Sequence, residues 1–252
     1  MNGVVDRIME VKWCGFDYGQ CIMEPGGLRN PLVIGDICKL LGQPELIADR
    51  IHRYHVLNET YGGYSKIKEG HRDEIYRYVL DDDAKGQELF SAKEQEYLDT
   101  GDGLMDALDY LQQAGIELEV VSEMKKTLGA VGSDIVSRFL KNRGLTEYFK
   151  VLVSPQGKQS LLDDVIIDAT YVGKTKEGGD IYDVLAADLR ARGIDTSEAV
   201  MVGDKPATDI NPASERGFLT IQYKGFIDLG PSKADLVIDH FSELKDILRK
   251  KG

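Results

Sequence analysis

The stretch Val11-Lys12-Trp13-Cys14-Gly15-Phe16-Asp17-Tyr18-Gly19-Gln20-Cys21 carries the first decision about the fold. Its apolar part is short, as a buried strand is, and it ends on a carboxylate. Far downstream a second apolar run, Ala199-Val200-Met201-Val202, ends in Gly203-Asp204-Lys205-Pro206-Ala207-Thr208-Asp209. In an open parallel sheet the C-terminal strand ends form the crevice where ligands bind, so both stretches deliver acid to that edge. Asp17, Asp204 and Asp209 in one crevice repel each other unless a cation lies among them, and hard oxygen ligands of this kind favour Mg²⁺.

Working outward, strands are predicted at Lys12–Asp17, Ile116–Ser122, Lys150–Val153, Ala199–Gly203, Leu219–Gln222 and Leu236–Ile238. Helical patterns alternate with them. Gly103–Gly115 has Leu104, Leu108 and Leu111 on one face and a glycine stop, and Ser133–Asn142 and Asp180–Arg192 follow the same period. This alternation predicts right-handed βαβ units, hence an α/β fold with a doubly wound, Rossmann-like parallel sheet. The interval from Met23 to Tyr97 is different: it is mostly helical, with candidates at Ile34–Leu41, Glu45–Tyr54 and His71–Leu80, and is too long for a loop. It predicts an inserted α-helical domain over residues 25–98, with residues 1–24 and 99–252 forming the core. A second insertion is expected at Ser154–Tyr171, with an extra strand at Asp164–Asp168.

The chain has 252 residues, 42% hydrophobic and 29% charged, which is the composition of an ordinary soluble globular protein. A net charge of −12 excludes an electrostatic nucleic-acid binder, because no basic surplus is present to neutralise phosphates. A small anionic substrate needs only a local positive cluster and a cation. Cys14, Cys21 and Cys38 show no metal-ligand spacing and leave an odd count. Met1–Glu10 has no secretory apolar segment, and no apolar run is long enough to cross a bilayer. A reducing cytoplasm and no membrane partner are therefore expected. Cys14 and Cys21, which flank Asp17, read as small residues packed beside a strand.

With these segments in order, the chain resembles the haloacid dehalogenase-like (HAD) hydrolase superfamily. Phe16-Asp17-Tyr18-Gly19-Gln20-Cys21-Ile22 is similar to its first motif, Val120-Val121-Ser122 to its second, and Lys176-Glu177-Gly178-Gly179-Asp180-Ile181-Tyr182 to its third. Val202-Gly203-Asp204 with Thr208-Asp209 is similar to the fourth, and the helical insertion is placed like a cap domain of that family. The resemblance implies that Asp17 is a nucleophile forming an aspartyl-phosphate. It also implies that Asp17, the Gly19 carbonyl and Asp204 hold Mg²⁺, with Asp209 ligating directly or through water, and that Ser122 and Lys176 take the phosphoryl oxygens. Lys174 competes with Lys176 as the motif lysine; the spacing to Asp180-Ile181-Tyr182 favours Lys176.

One position departs from the pattern. Most phosphatases of this family carry a second Asp two residues after the nucleophile, as the acid that protonates the leaving alcohol, and here that position is Gly19. Losing a positioned acid or base typically costs about 10²–10⁴-fold in rate. Either the leaving group needs no proton, or a donor comes from elsewhere, the cap being the natural source. Arg50–His55 and Tyr61–Arg72 gather basic and aromatic groups there, and Gly62-Gly63 is expected to let a loop reach into the crevice. Arg53, Tyr64 and Lys66 join Ser122, Glu123 and Lys176 as substrate-binding candidates.

The leading expectation is a Mg²⁺-dependent phosphatase acting on a small phosphorylated metabolite. An alternative is a phosphonate substrate cleaved at carbon–phosphorus, as in phosphonoacetaldehyde hydrolases, which also lack the second Asp and use a cap lysine; Lys66 is placed loosely like it. A third expectation, resting on the missing acid, is a catalytically weak binding protein.

Overall fold

The computed structural model describes residues 8–123 and 132–252. Residues 1–7, part of the segment read as lacking a secretory core, lie outside the described residues. The chain divides into two compact units, Met1–Met23 with Thr100–Gly252 and Glu24–Asp99.

The first unit is built on an eight-stranded sheet. Its strands are β2 (Trp13–Phe16), β3 (Glu117–Val121), β4 (Val151–Ser154), β5 (Gly157–Ser160), β6 (Val165–Asp168), β7 (Ala199–Gly203), β8 (Leu219–Tyr223) and β9 (Leu236–Ile238). Their spatial order is β6-β5-β4-β3-β2-β7-β8-β9, and β5 alone runs antiparallel to its neighbours. A separate parallel pair joins β1 (Met9–Val11) to β10 (Leu248–Lys250).

Successive side chains of a strand face opposite sides of a sheet, so burial along β2 and β7 reports on both faces. Trp13, Cys14, Phe16 and all of Ala199–Val202 are completely buried. Both faces are covered, which is why these strands read as continuous apolar runs rather than alternating ones. On one face Trp13, Val121 and Met201 pack with Tyr182, Leu185 and Leu189 of the helix Asp180–Ala191. On the other, Phe16 meets the rings of Phe149 and Phe241 at 5.6 and 6.3 Å. Gly15 cannot carry a side chain, because a Cβ there would lie 2.2 Å from the Trp13 indole.

The region expected as one extra strand holds two. β5 and β6 form a hairpin on β4, and Val165, Ile166 and Ile167 on its outer strand are each about half exposed.

The second unit has helices at Asn30–Leu40, Ile47–Tyr61, Tyr64–Gly70 and Ala84–Tyr97. A short turn at Arg72–Glu74 leads into a π-helical turn at Ile75–Val79. Residues after Gly62-Gly63 are therefore helical and not the loop expected from the sequence. Gly62 takes a left-handed conformation (φ 74°) and stops the preceding helix. Val33, Ile37, Tyr54, Leu57, Ile67 and Phe90 form this unit's own core.

Candidate active site

Strand register places the chemistry. Phe16 on β2 lies level with Val120 on β3 and Val202 on β7. Asp17 leaves the sheet one residue past that level, and Ser122 and Asp204 leave it two residues past on the flanking strands. The Asp17 N–H donates to the Val202 carbonyl at 2.8 Å, and the Ser122 N–H to that of Val153 at 2.9 Å. A tight turn holds the segment after Asp17: the Met23 N–H donates to Tyr18 O at 2.9 Å, and Gln20 adopts a φ of 65°.

Asp209 arrives from the turn after β7. Its Oδ2 accepts the Lys205 N–H at 2.9 Å and its Oδ1 the Thr208 hydroxyl at 3.1 Å. Gly203 makes this approach possible, since a Cβ there would lie 2.4 Å from the Asp209 Cβ. Carboxylate oxygens of Asp17, Asp204 and Asp209 all lie within 4.8 Å of one another, and the three residues are buried.

Lys176 comes from the segment before the helix Asp180–Ala191, where the Thr175 N–H donates to Asp180 Oδ1 at 2.7 Å. Its ammonium is completely buried, 2.5 Å from Asp17 Oδ1 and 2.5 Å from Asp209 Oδ1, and it donates to the Val121 carbonyl at 3.0 Å. Lys174 instead faces Asp180 at 3.8 Å, partly in solvent. Glu123 accepts the Lys176 backbone N–H through Oε2. The Tyr182 hydroxyl donates to Thr208 O at 2.9 Å and fixes the turn that carries Asp209. Neither the Gly203 nor the Tyr182 contribution is visible in the sequence, although both residues lie inside motif segments.

Among the described residues three carboxylates meet one contacting ammonium, an excess of negative charge. Burial, then repulsion from Asp209, pushes the Asp17 carboxyl up to about 6 despite Lys176 beside it. Burial, then Asp17 and Asp209, pushes Asp204 up to about 7. Lys176 is held above the ordinary lysine range: burial opposes its charge, but Asp17 and Asp209 outweigh it. Asp204 has both carboxylate oxygens buried without a hydrogen-bond partner among the described residues. An orphaned buried carboxylate is costly, and this donor set, all hard oxygens with excess negative charge, fits a hard divalent cation.

The other candidates lie in the helical unit. Tyr64 is buried with its hydroxyl on Glu94, which also pairs with Arg72 at 3.1 Å. Arg53 is held by Asp49 and by Asp81 at 2.6 Å. Lys66 is two-thirds exposed and lies 3.4 Å from Glu69.

A family model described as HAD-hydrolase-like matches residues 176–244, a segment that opens on Lys176 and contains both Asp204 and Asp209. Over that segment the chain is similar to the HAD-like hydrolases. Three solved structures share the HAD fold with it. It is similar to a HAD phosphatase from Thermococcus onnurineus, at 21% identity, covering 94% of this chain and 97% of that one with a TM-score of 0.52. It is similar to the HAD-hydrolase YfnB from Bacillus subtilis bound to magnesium, at 20% identity over 93% and 97% of the chains, TM-score 0.53. It is also similar to a dehalogenase with an intermediate complex, at 15% identity over 97% and 100%, TM-score 0.56. No curated protein matches the sequence of this HAD-like chain. No helix among the described residues is long and apolar enough to cross a membrane.

Proposed function

We propose that this hydrolase is a Mg²⁺-dependent phosphatase of the cytoplasm, acting on a small phosphorylated metabolite through a phosphoenzyme at Asp17, with the helical unit as its cap. The observation that carries the proposal is the Asp204 carboxylate, buried with both oxygens unpartnered among the described residues, beside a nucleophile candidate that Lys176 holds by one oxygen. Scaffolding alone has no use for such a group, and a divalent cation gives it a reason.

Asp17, Asp204 and the Gly19 carbonyl would hold the ion, with Asp209 in support. When bound, the ion supplies charge neutralisation and polarises phosphoryl oxygens. The chain's own residues do the rest. Lys176 fixes Asp17 Oδ1 and leaves Oδ2 for attack on phosphorus, so the carboxylate is oriented before substrate arrives. Ser122 and Lys176 would receive the equatorial oxygens as charge spreads over them. Asp17 forms a bond to phosphorus while the bond to the leaving oxygen breaks. Water then takes the phosphoryl group from Asp17 and restores the carboxylate.

The test is a panel of phosphorylated metabolites assayed with Mg²⁺, alongside beryllium fluoride as a phosphoryl mimic. Turnover and a beryllofluoride adduct on Asp17, both lost in Asp17→Asn, are expected. A panel with no substrate and no adduct ends the proposal.

A further inference from the structure

β3 starts at Glu117, level with Trp13 of β2, but it pairs with β4 only at Val120–Leu152 and Val121–Val153. Beside its first three residues lies a cleft of about 350 Å³, within the size range of small-molecule sites. It opens at the N-terminal ends of the strands. Asp17 lies past their C-terminal ends, roughly 13 Å beyond Trp13 along the strand, so the cleft is separate from the crevice that holds the three acids. The apolar lining is Ile116, Leu118 and Val151, and the carboxylates of Glu117, Glu119 and Glu147 line it as well. Cations and amides of the lining are engaged by the protein itself. Arg192 Nη1 donates to Glu117 and to Glu119 at 2.9 Å each, and its Nη2 lies 3.5 Å from Asp188. The Lys150 ammonium donates to the Thr146 carbonyl at 2.6 Å, and the Gln112 amide to the Glu147 carbonyl at 2.9 Å. Among the described residues the lining therefore holds three carboxylates and two cations. Glu119 is the decisive group. It is only 4% exposed, and its Oε1 takes Arg192, with Lys158 at 3.6 Å. Its Oε2 is buried with no hydrogen-bond partner among the described residues.

We propose that this cleft is a second binding site, for a small organic cation: a protonated amine or guanidinium carried on a short aliphatic body. The cationic head brings hydrogen-bond donors and positive charge to Glu119 and Glu147, and the aliphatic body lies on Ile116, Leu118 and Val151. Both halves of the ligand are needed. A buried carboxylate oxygen without a partner is costly, so a donor that reaches it is favoured. An inorganic cation alone would leave the apolar lining in water, and an anion would be repelled by the carboxylates. The inference is independent of the phosphatase reading, because it rests on no residue of the Asp17 cluster.

The experiment uses the full chain with saturating Mg²⁺ and measures binding of hexylamine, hexan-1-ol and hexanoate by titration calorimetry. At about pH 7.5 the amine is protonated and hexanoate is ionised, so the three probes share a chain and differ in the charge of the head. Hexylammonium is expected to bind with a Kd below about 1 mM, and the alcohol and the carboxylate at least about tenfold more weakly. Glu119→Gln should weaken hexylammonium binding by at least about tenfold. Glu147 is exposed, so Glu147→Lys tests the same cleft without disturbing the interior, and about tenfold weakening is expected there too. If Glu119→Gln fails to fold, Glu147→Lys decides. Asp204→Asn, in the other crevice, should leave amine binding unchanged. The inference is overturned by equal affinity for the alcohol or the carboxylate, or by no binding of hexylammonium up to about 10 mM. Binding that neither glutamate variant weakens overturns it as well, and so does binding lost in Asp204→Asn, which would put the amine among the three acids.

Discussion

The ammonium of Lys176 lies 2.5 Å from Asp17 Oδ1 and equally close to Asp209 Oδ1, so one buried cation joins the end of β2 to the turn after β7. Removing one member of a buried ion pair leaves its partners uncompensated, which typically costs about 3–5 kcal/mol. Lys176→Met should lose stability of that order in urea unfolding of the metal-free protein, and lose turnover with it. Arginine should not restore either property, because a planar guanidinium does not fit a space shaped for a point charge. A Lys176→Met protein as stable as wild type would show that the cluster is not held this way.

Asp204 predicts a separation of function from stability. Its two oxygens are buried without partners among the described residues, so in metal-free protein the charge is a burden. Asp204→Asn removes that charge and should leave the metal-free protein at least as stable, by up to about 1–3 kcal/mol. The same variant should abolish the rise in Tm that Mg²⁺ gives the wild type. Calorimetry with and without Mg²⁺ reads both effects, and an undiminished Mg²⁺ response in Asp204→Asn would count against its place in the metal site.

The pH dependence has a definite sign. Asp17 and Asp204 have carboxyls raised from 3.8 to about 6 and about 7 in the folded, metal-free protein. The folded state therefore binds more protons than the unfolded state between those values. Their contribution to stability is complete below pH 3.8 and is lost as pH rises through about 6 to 7. Unfolding in a chelator should show this loss between pH 4 and pH 8, seen as the difference from Asp204→Asn. Mg²⁺ competes with these protons, so its stabilising effect should grow over the same window.

Gly203 is predicted to be intolerant of even a methyl group. A Cβ there meets Asp209 Cβ at 2.4 Å and Cγ at 2.7 Å, and Asp209 is itself tied to the Lys205 N–H and to Lys176. Gly203→Ala should cost about 1–3 kcal/mol by overpacking and displace Asp209 from Lys176. Mg²⁺ titration followed by Tm should then show weakened binding. Unaltered binding would mean that the turn relaxes freely.

Much of the fold was legible because the central strands are buried on both faces and so read as unbroken apolar runs. β5 was missed for the opposite reason. Its sequence Gly157-Lys158-Gln159-Ser160 is polar, yet Lys158 and Gln159 are buried by pairing, Lys158 with Asp188 at 2.6 Å and Gln159 with Asp164 at 3.0 Å. Pattern reading cannot see burial that distant charges make possible. The helix Ala84–Tyr97 is largely polar and gives little periodic signal, although Asp83 caps it by accepting the Gly86 N–H at 2.8 Å. Gly62-Gly63 made the short helix Tyr64–Gly70 look like a loop.

The sequence by itself determined which strand ends carry acid and in what order along the chain, because apolar runs and the residues that stop them are local signals. It also placed glycine, with no acid to offer, two residues after Asp17. Only the tertiary structure decided that Lys176, 159 residues from Asp17, is the cation between two of the acids and that Asp204 has no partner among the described residues. Contacts of that kind depend on which charges the folded sheet brings within a few ångströms, and Coulomb energy at such separations has no counterpart in local periodicity.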